Sequence, residues 1–209
     1  MPWFYLVILL PFLYAALVPF LYSKLNPRLH IGWLVLLVPL IIFCYLWNYI
    51  PAVSAGGTIY LKLPWIPAYN IDFTVNIDGL SLIFGLIVSG VGFLVIFYSV
   101  YYMSKYKEAL HNFYVYMLLF MGAMLGLVFA DNILLLYVFW EITSISSFLL
   151  IAFWFEREMS RFGAQKSLLI TVLGGLSMLA GFILVSMITN TYSIQEMISQ
   201  ADIVQFHPY

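Results

Sequence analysis

Charge is the first thing this sequence lacks. Only 8% of its 209 residues are Asp, Glu, Lys or Arg, against about a quarter in an ordinary globular chain. Hydrophobic residues make up 65%, which leaves too little polar surface to cover a water-soluble core. A soluble domain is therefore excluded, and an integral membrane protein is expected. The formal net charge of −1 lacks the basic excess that draws a protein to nucleic acid, so no nucleic-acid partner is expected. Cysteine is nearly missing too. Cys44 stands alone inside an apolar run, which rules out a disulfide framework and suggests a buried, inert thiol. The sequence contains no Walker loop, GxGxxG, CxxC or HExxH pattern, so no cofactor and no metal site is expected. The opening "MPWFYLVILLPFLYAALVPFLY" has no basic leader and no A-x-A site. It reads as a first spanning helix rather than a cleaved signal.

Long apolar runs are what the sequence does have. A spanning helix needs about 20 mostly apolar residues, and six segments qualify: 2–22, 31–51, 79–102, 112–130, 132–154 and 165–188. The expected fold class is an all-α polytopic membrane protein, a single membrane domain over residues 1–209. Within loop 52–78, Ile71, Phe73, Val75 and Ile77 alternate with polar residues, the period of a half-buried strand. A small extracellular β-hairpin is predicted there, and a polar outer tail over 190–209 with a short surface helix. Lys24, Arg28, Lys105, Lys107, Arg157, Arg161 and Lys166 fall in the three loops of one face, and Lys62 alone on the other. Short basic loops stay in the cytoplasm, so both ends are expected outside a cell (inner or plasma) membrane.

Near the middle of "LLLYVFWEITSISSFLLIAFW" (134–154) sits Glu141. A charged side chain at that depth costs about 2.5–3.5 kcal/mol even on lenient scales. Glu141 must therefore face protein, water or a basic partner, or carry a proton. Tyr137 and Ser144 flank it on one helical face, where water could stand beside the acid. A carboxyl out of water holds its proton more tightly, and an approaching cation loosens it. That is what a proton relay requires. Lys166, at the start of the sixth segment, is the candidate cation in this chain, with snorkelling to the interface as its other role.

Asp78 and Asp131 stand at the outer ends of the third and fourth segments. Each either shapes the chain, Asp78 as a helix cap and Asp131 as a turn residue, or lines an outer ion mouth. His30 and His111 are expected in solvated loops, and His207 is isolated. Gly122 and Gly126 form a GxxxG pair, with Gly174, Gly175 and Gly181 adding small residues to the last segment. These mark close helix packing.

"IDGLSLIFGLIVSGVGFLVIFYSVYYM" (77–103) and "FYVYMLLFMGAMLGLVFADNILLLYVFWEITSISSFLLIAFW" (113–154) resemble the antiporter-like subunits shared by respiratory complex I and the Mrp cation/proton antiporters. "WEITSISSFLLIAFW" is closer to the large A-type Mrp subunits than to complex I, and "SAGGTIYLKLPWIP" (54–67) also resembles those subunits. The resemblance implies a fourteen-helix core with two five-helix units in inverted repeat, of which this chain would hold a part. It implies that Glu141 is the fifth-helix acid, paired in the family with a lysine on a broken seventh helix. It implies Na+ and H+ as transported ions rather than cofactors, and further antiporter subunits as partners in a hetero-oligomeric complex in the bilayer. The seventh helix lies beyond Tyr209, so an N-terminal fragment or one piece of a split subunit is expected, and a transporter component rather than an enzyme. Two alternatives remain: a proton-pumping subunit of a complex I-like or membrane-bound hydrogenase assembly, and a truncated product that does not transport.

Overall fold

Backbone groups in hydrocarbon must satisfy one another, and the helix does this within each apolar run. The computed structural model describes residues 2–25, 30–66, 71–103 and 109–202. Arg28, Lys105, Lys107, His207 and residues 67–70 therefore lie outside the described residues.

Among the described residues, six helical spans are long and apolar enough to cross a membrane. The first is α1 (Tyr5–Leu25), preceded by a 3-10 turn at Pro2–Phe4. The second is interrupted: α2 (Gly32–Val35), α3 (Leu37–Trp47) and α4 (Ile50–Ser54) follow one another along a single span. Prolines set the breaks. Pro39 and Pro51 have no N–H for the carbonyls of Val35 and Trp47, four residues earlier. Beside the second break, the Asn48 side-chain amide donates to the Cys44 carbonyl at 2.8 Å. The remaining spans are α5 (Gly79–Tyr102), α6 (Leu110–Phe129), α7 (Ile133–Ile151) and α8 (Glu158–Thr189). A short α9 (Ile194–Ser199) follows a chain reversal in which Asn190 takes a φ of 54°.

Between α4 and α5 lies a two-stranded antiparallel hairpin, β1 (Ile59–Ile66) and β2 (Ile71–Ile77), with Ile59 opposite Ile77 and Leu63 opposite Phe73. Val75 and Ile77 are buried. The hairpin therefore lies on the bundle, and the Tyr5 hydroxyl donates to the Phe73 carbonyl at 3.2 Å.

Helix α6 is the axis, packed on α1, α5 and α7, while α8 packs mainly on α7. Tyr114, Leu118, Leu125 and Phe129 of α6 are fully buried, with Phe4 and Ile8 from the other side. The GxxxG pair works differently from a backbone-to-backbone crossing. A Cβ at Gly122 would lie 2.9 Å from the Phe12 ring of α1, and one at Gly126 would lie 2.5 Å from the Phe139 ring of α7. Each glycine is a socket for an aromatic ring from a different helix.

Two expectations are corrected here. The last span begins at Glu158, not 165. Nothing in "EMSRFGA" breaks a helix, and at 1.5 Å per residue its 32 residues run to about 48 Å. That exceeds the hydrocarbon depth of about 30 Å, so the basic residues extend the helix past it. Cys44 is exposed rather than buried, because the inward face of α3 is taken by Ile42 and Leu46 and Cys44 points the opposite way.

Candidate functional site

Glu141 is the ninth residue of the 19-residue α7, so its depth is the middle of that span. It lies beside α8. Its Oε1 atom is buried and has no hydrogen-bond partner among the described residues, and the same holds for the neighbouring Trp140 Nε1. Both atoms border the notch left by Gly175 of α8, where a Cβ would lie 2.5 Å from Glu141 Oε1 and 3.4 Å from Trp140 Nε1. A buried polar atom left unpaired costs about 1–3 kcal/mol, and this notch holds two of them. One acceptor and one donor stand side by side. Such a place can hold a proton on the acid, or accept a hydrogen-bonding or cationic visitor.

Tyr137 stands one helical turn from Glu141 on the same side of α7. Ser144 is buried, but its hydroxyl donates to the Trp140 carbonyl at 3.1 Å. That bond engages the hydroxyl proton and leaves the oxygen lone pairs free to accept. Lys166 is exposed on α8. It precedes Gly175 by nine residues, about 14 Å along the axis, so the structure does not bring it to Glu141. Among the described residues the ion pair found is Lys62–Asp72 in the hairpin, at 2.6 Å.

The two acids at the hairpin end of the bundle have structural partners. Asp78 forms a capping box on α5: its Oδ1 accepts from the Ser81 N–H at 2.8 Å, and Ser81 Oγ accepts from the Asp78 N–H at 2.8 Å. Asp131 is 2% exposed and ties three segments together. Its N–H donates to the Thr74 carbonyl at 3.0 Å, and its own carbonyl accepts from the Ile194 N–H at 2.7 Å. Its carboxylate accepts from the Ser193 hydroxyl at 2.7 Å and from the Gln195 N–H at 3.2 Å. Burial, and then the Asp131 carboxylate beside it, push the Tyr60 hydroxyl above its usual pKa. Asp131 is thus a clamp between the hairpin, the α6–α7 turn and α9, not a free residue at a mouth. His111 also departs from its expected setting. It is the second residue of α6, lies against the Tyr22 ring at 4.9 Å, and its Nδ1 is buried without a partner among the described residues.

Trp140 joins the site without having stood out in the sequence, and Gly175 joins it in a role other than helix-to-helix packing. The Gly174–Gly175 doublet signals small-residue packing. That the gap admits a carboxylate rather than a helix backbone depends on the three-dimensional contact.

Two family models match the chain. One, described as the transmembrane region of NADH:quinone oxidoreductase and Mrp antiporters, matches residues 130–207. The other, described as the N-terminus of chain 5 of complex I NADH-ubiquinone oxidoreductase, matches residues 65–114. The chain is 55% identical over 201 residues to the A-type subunit of the Na+/H+ antiporter of Alkalihalophilus pseudofirmus, covering 96% of this chain and 24% of that protein. It is 49% identical over 205 residues to the A1-type Na+/H+ antiporter subunit of Staphylococcus aureus, covering 98% of this chain and 25% of that protein. The chain thus spans about a quarter of the length of these curated relatives. Among solved structures, a chain of the Mrp complex from Dietzia sp. DQ12-45-1b matches with a TM-score of 0.81 and 31% identity, covering 92% of this chain and 20% of that one.

Proposed function

Because the chain belongs to the antiporter-like membrane subunits, as a homologue of the A-type subunits of Na+/H+ antiporters, we propose that it contributes Glu141 as the proton-holding acid of a multisubunit monovalent-cation/proton antiporter. The observation that carries the reading is the place of Glu141 Oε1: mid-helix, buried against α8, and unpartnered among the described residues. An acid on lipid would be neutral and idle, and one in bulk water would stay ionised across the working range. A sheltered carboxyl beside a notch can hold H+ and release it when a cation comes near. Lys166 is too far along α8 to be that cation, so the positive partner comes from a helix other than the six spans seen here. The names of the relatives support a transporter rather than an enzyme.

Partners follow from the same relatives: further antiporter subunits in a hetero-oligomeric complex within a cell membrane. The hairpin end carries Lys62, while Lys24, Arg157 and Arg161 lie at the opposite end of the bundle. The positive-inside tendency turns the hairpin, the start of α1 and α9 outward. A redox-driven proton pump is the rival reading, since the model matching 130–207 covers NADH:quinone oxidoreductase as well. Iron–sulfur or quinone-binding subunits co-purifying with the chain would favour that rival.

The direct test is Glu141→Gln in the assembled complex. Antiport in inverted vesicles should fall to background while every subunit still co-purifies. Parental antiport rates in that variant would end the proposal.

A further inference from the structure

We infer that Gly175 is the positioning residue for Glu141: the missing side chain on α8 is the slot that the carboxylate occupies. The inference rests on the reading of Glu141 as the proton-holding acid. Three observations carry it. First, α8 buries only Ala164, Gly175 and Thr189, and these residues are about three and four helical turns apart. They form a single stripe, and Gly175 is its midpoint. Second, the other glycines in the middle of α8 serve no such purpose, since a Cβ at Gly174 or Gly181 would have nothing within 4 Å. Third, the atom nearest the Gly175 notch is Glu141 Oε1, with Trp140 Nε1 on the adjacent wall.

The nature of the clash decides what a side chain at 175 would do. A Cβ 2.5 Å from Oε1 forces a shift, but the atom it meets is the free end of a flexible side chain. The carboxylate swings away and the helices stay where they are. Alanine is also a better helix former than glycine, so α8 itself does not suffer. The fold survives, and the acid leaves its position. Of titratable groups, Tyr137 shares the side of α7 that carries Glu141. Helix α8 has none after Lys166, and α6 none after Tyr116. The setting of Glu141 within this chain is therefore governed by the slot and its neighbour Tyr137.

The test uses the assembled antiporter complex with Gly175→Ala, Glu141→Asp and their combination, alongside Gly181→Ala as control. Antiport is read as a function of pH, and the infrared carboxyl bands lost in Glu141→Gln identify the acid. Gly175→Ala should lower the rate about tenfold or more, displace the pH profile and shift the Glu141 bands. The Gly181→Ala variant should match the parent. Aspartate is shorter by one methylene and withdraws from the notch, so Gly175→Ala should cost little in the Glu141→Asp background. A Gly175→Ala complex with parental rate, pH profile and bands overturns the inference, and so does an equal penalty in both backgrounds. Should Gly175→Ala fail to assemble, assembly of the double variant supports the slot, and failure of both rejects it. Active Glu141→Gln with shifted bands in Gly175→Ala would keep the slot and discard the proton-carrier reading.

Discussion

Helices α6 and α8 are both apolar enough to span a membrane, yet they are built to opposite plans. In the most apolar stretch of α6, 44% of residues are buried inside the protein, and in that of α8 only 6%. Helix α6 receives rings from α1 and α7 in its glycine sockets and is enclosed on three sides. Helix α8 shows one narrow stripe to α7. Its hydroxyls are turned back on its own carbonyls, Thr171 to Ser167 at 2.6 Å and Ser177 to Leu173 at 3.0 Å, as an apolar surrounding requires. The fully packed helix is held by aromatic shape, and the sparsely packed one meets the acid at mid-span.

Several substitutions break or sharpen this contrast. The largest effect is expected from Phe139→Ala, which empties the Gly126 socket and removes ring contacts to Phe12 and Phe73. A loss of about 3–5 kcal/mol should appear as a lowered unfolding midpoint in detergent. A cost as small as that of a surface change would mean that α6 is not the axis. Next comes Asp131→Ala, which leaves the Ser193 hydroxyl and the Gln195 N–H without their acceptor. About 1–3 kcal/mol should be lost, with faster hydrogen exchange confined to α9 and the hairpin. Leu173→Ala on the open side of α8, where Leu173 is 65% exposed, should move stability by no more than about 0.5 kcal/mol. A larger loss in the complex than in the isolated chain would show that another polypeptide covers that side.

The smallest effect concerns the hairpin. The hydrogen bond and charge of Asp72 raise the pKa of Lys62. A raised lysine pKa means a contribution present below the ordinary lysine value of about 10.4 and lost as pH rises through the higher folded value. The hairpin should therefore loosen only in strongly alkaline solution, and Lys62→Met should remove that pH step, read by hydrogen exchange at β1.

The six spans are legible in the sequence because each is a long apolar run, and β2 because its alternation has the period of two. Asp78 is legible as a cap from the D-G-L-S spacing alone, since the capping box is local. The start of α8 is not, because Arg161 and Lys166 read as loop residues although a helix carries such side chains past the hydrocarbon without difficulty. The clamp at Asp131 is half legible. The turn can be seen, but Ser193 and Gln195 are remote in sequence. The pairing of Glu141 with Gly175 is not legible at all. Periodicity says which residues share a face, and it does not say which helix that face will meet.

The ring sockets of α6 also constrain biosynthesis. Phe12 leaves the ribosome about 110 residues before Gly122, a delay of roughly 5–20 s at ordinary translation speeds. Throughout that interval α1 sits among acyl chains with its aromatic key unseated. The apolar length of α1 must hold it in the bilayer by itself, and its docking waits for the helix that carries the lock.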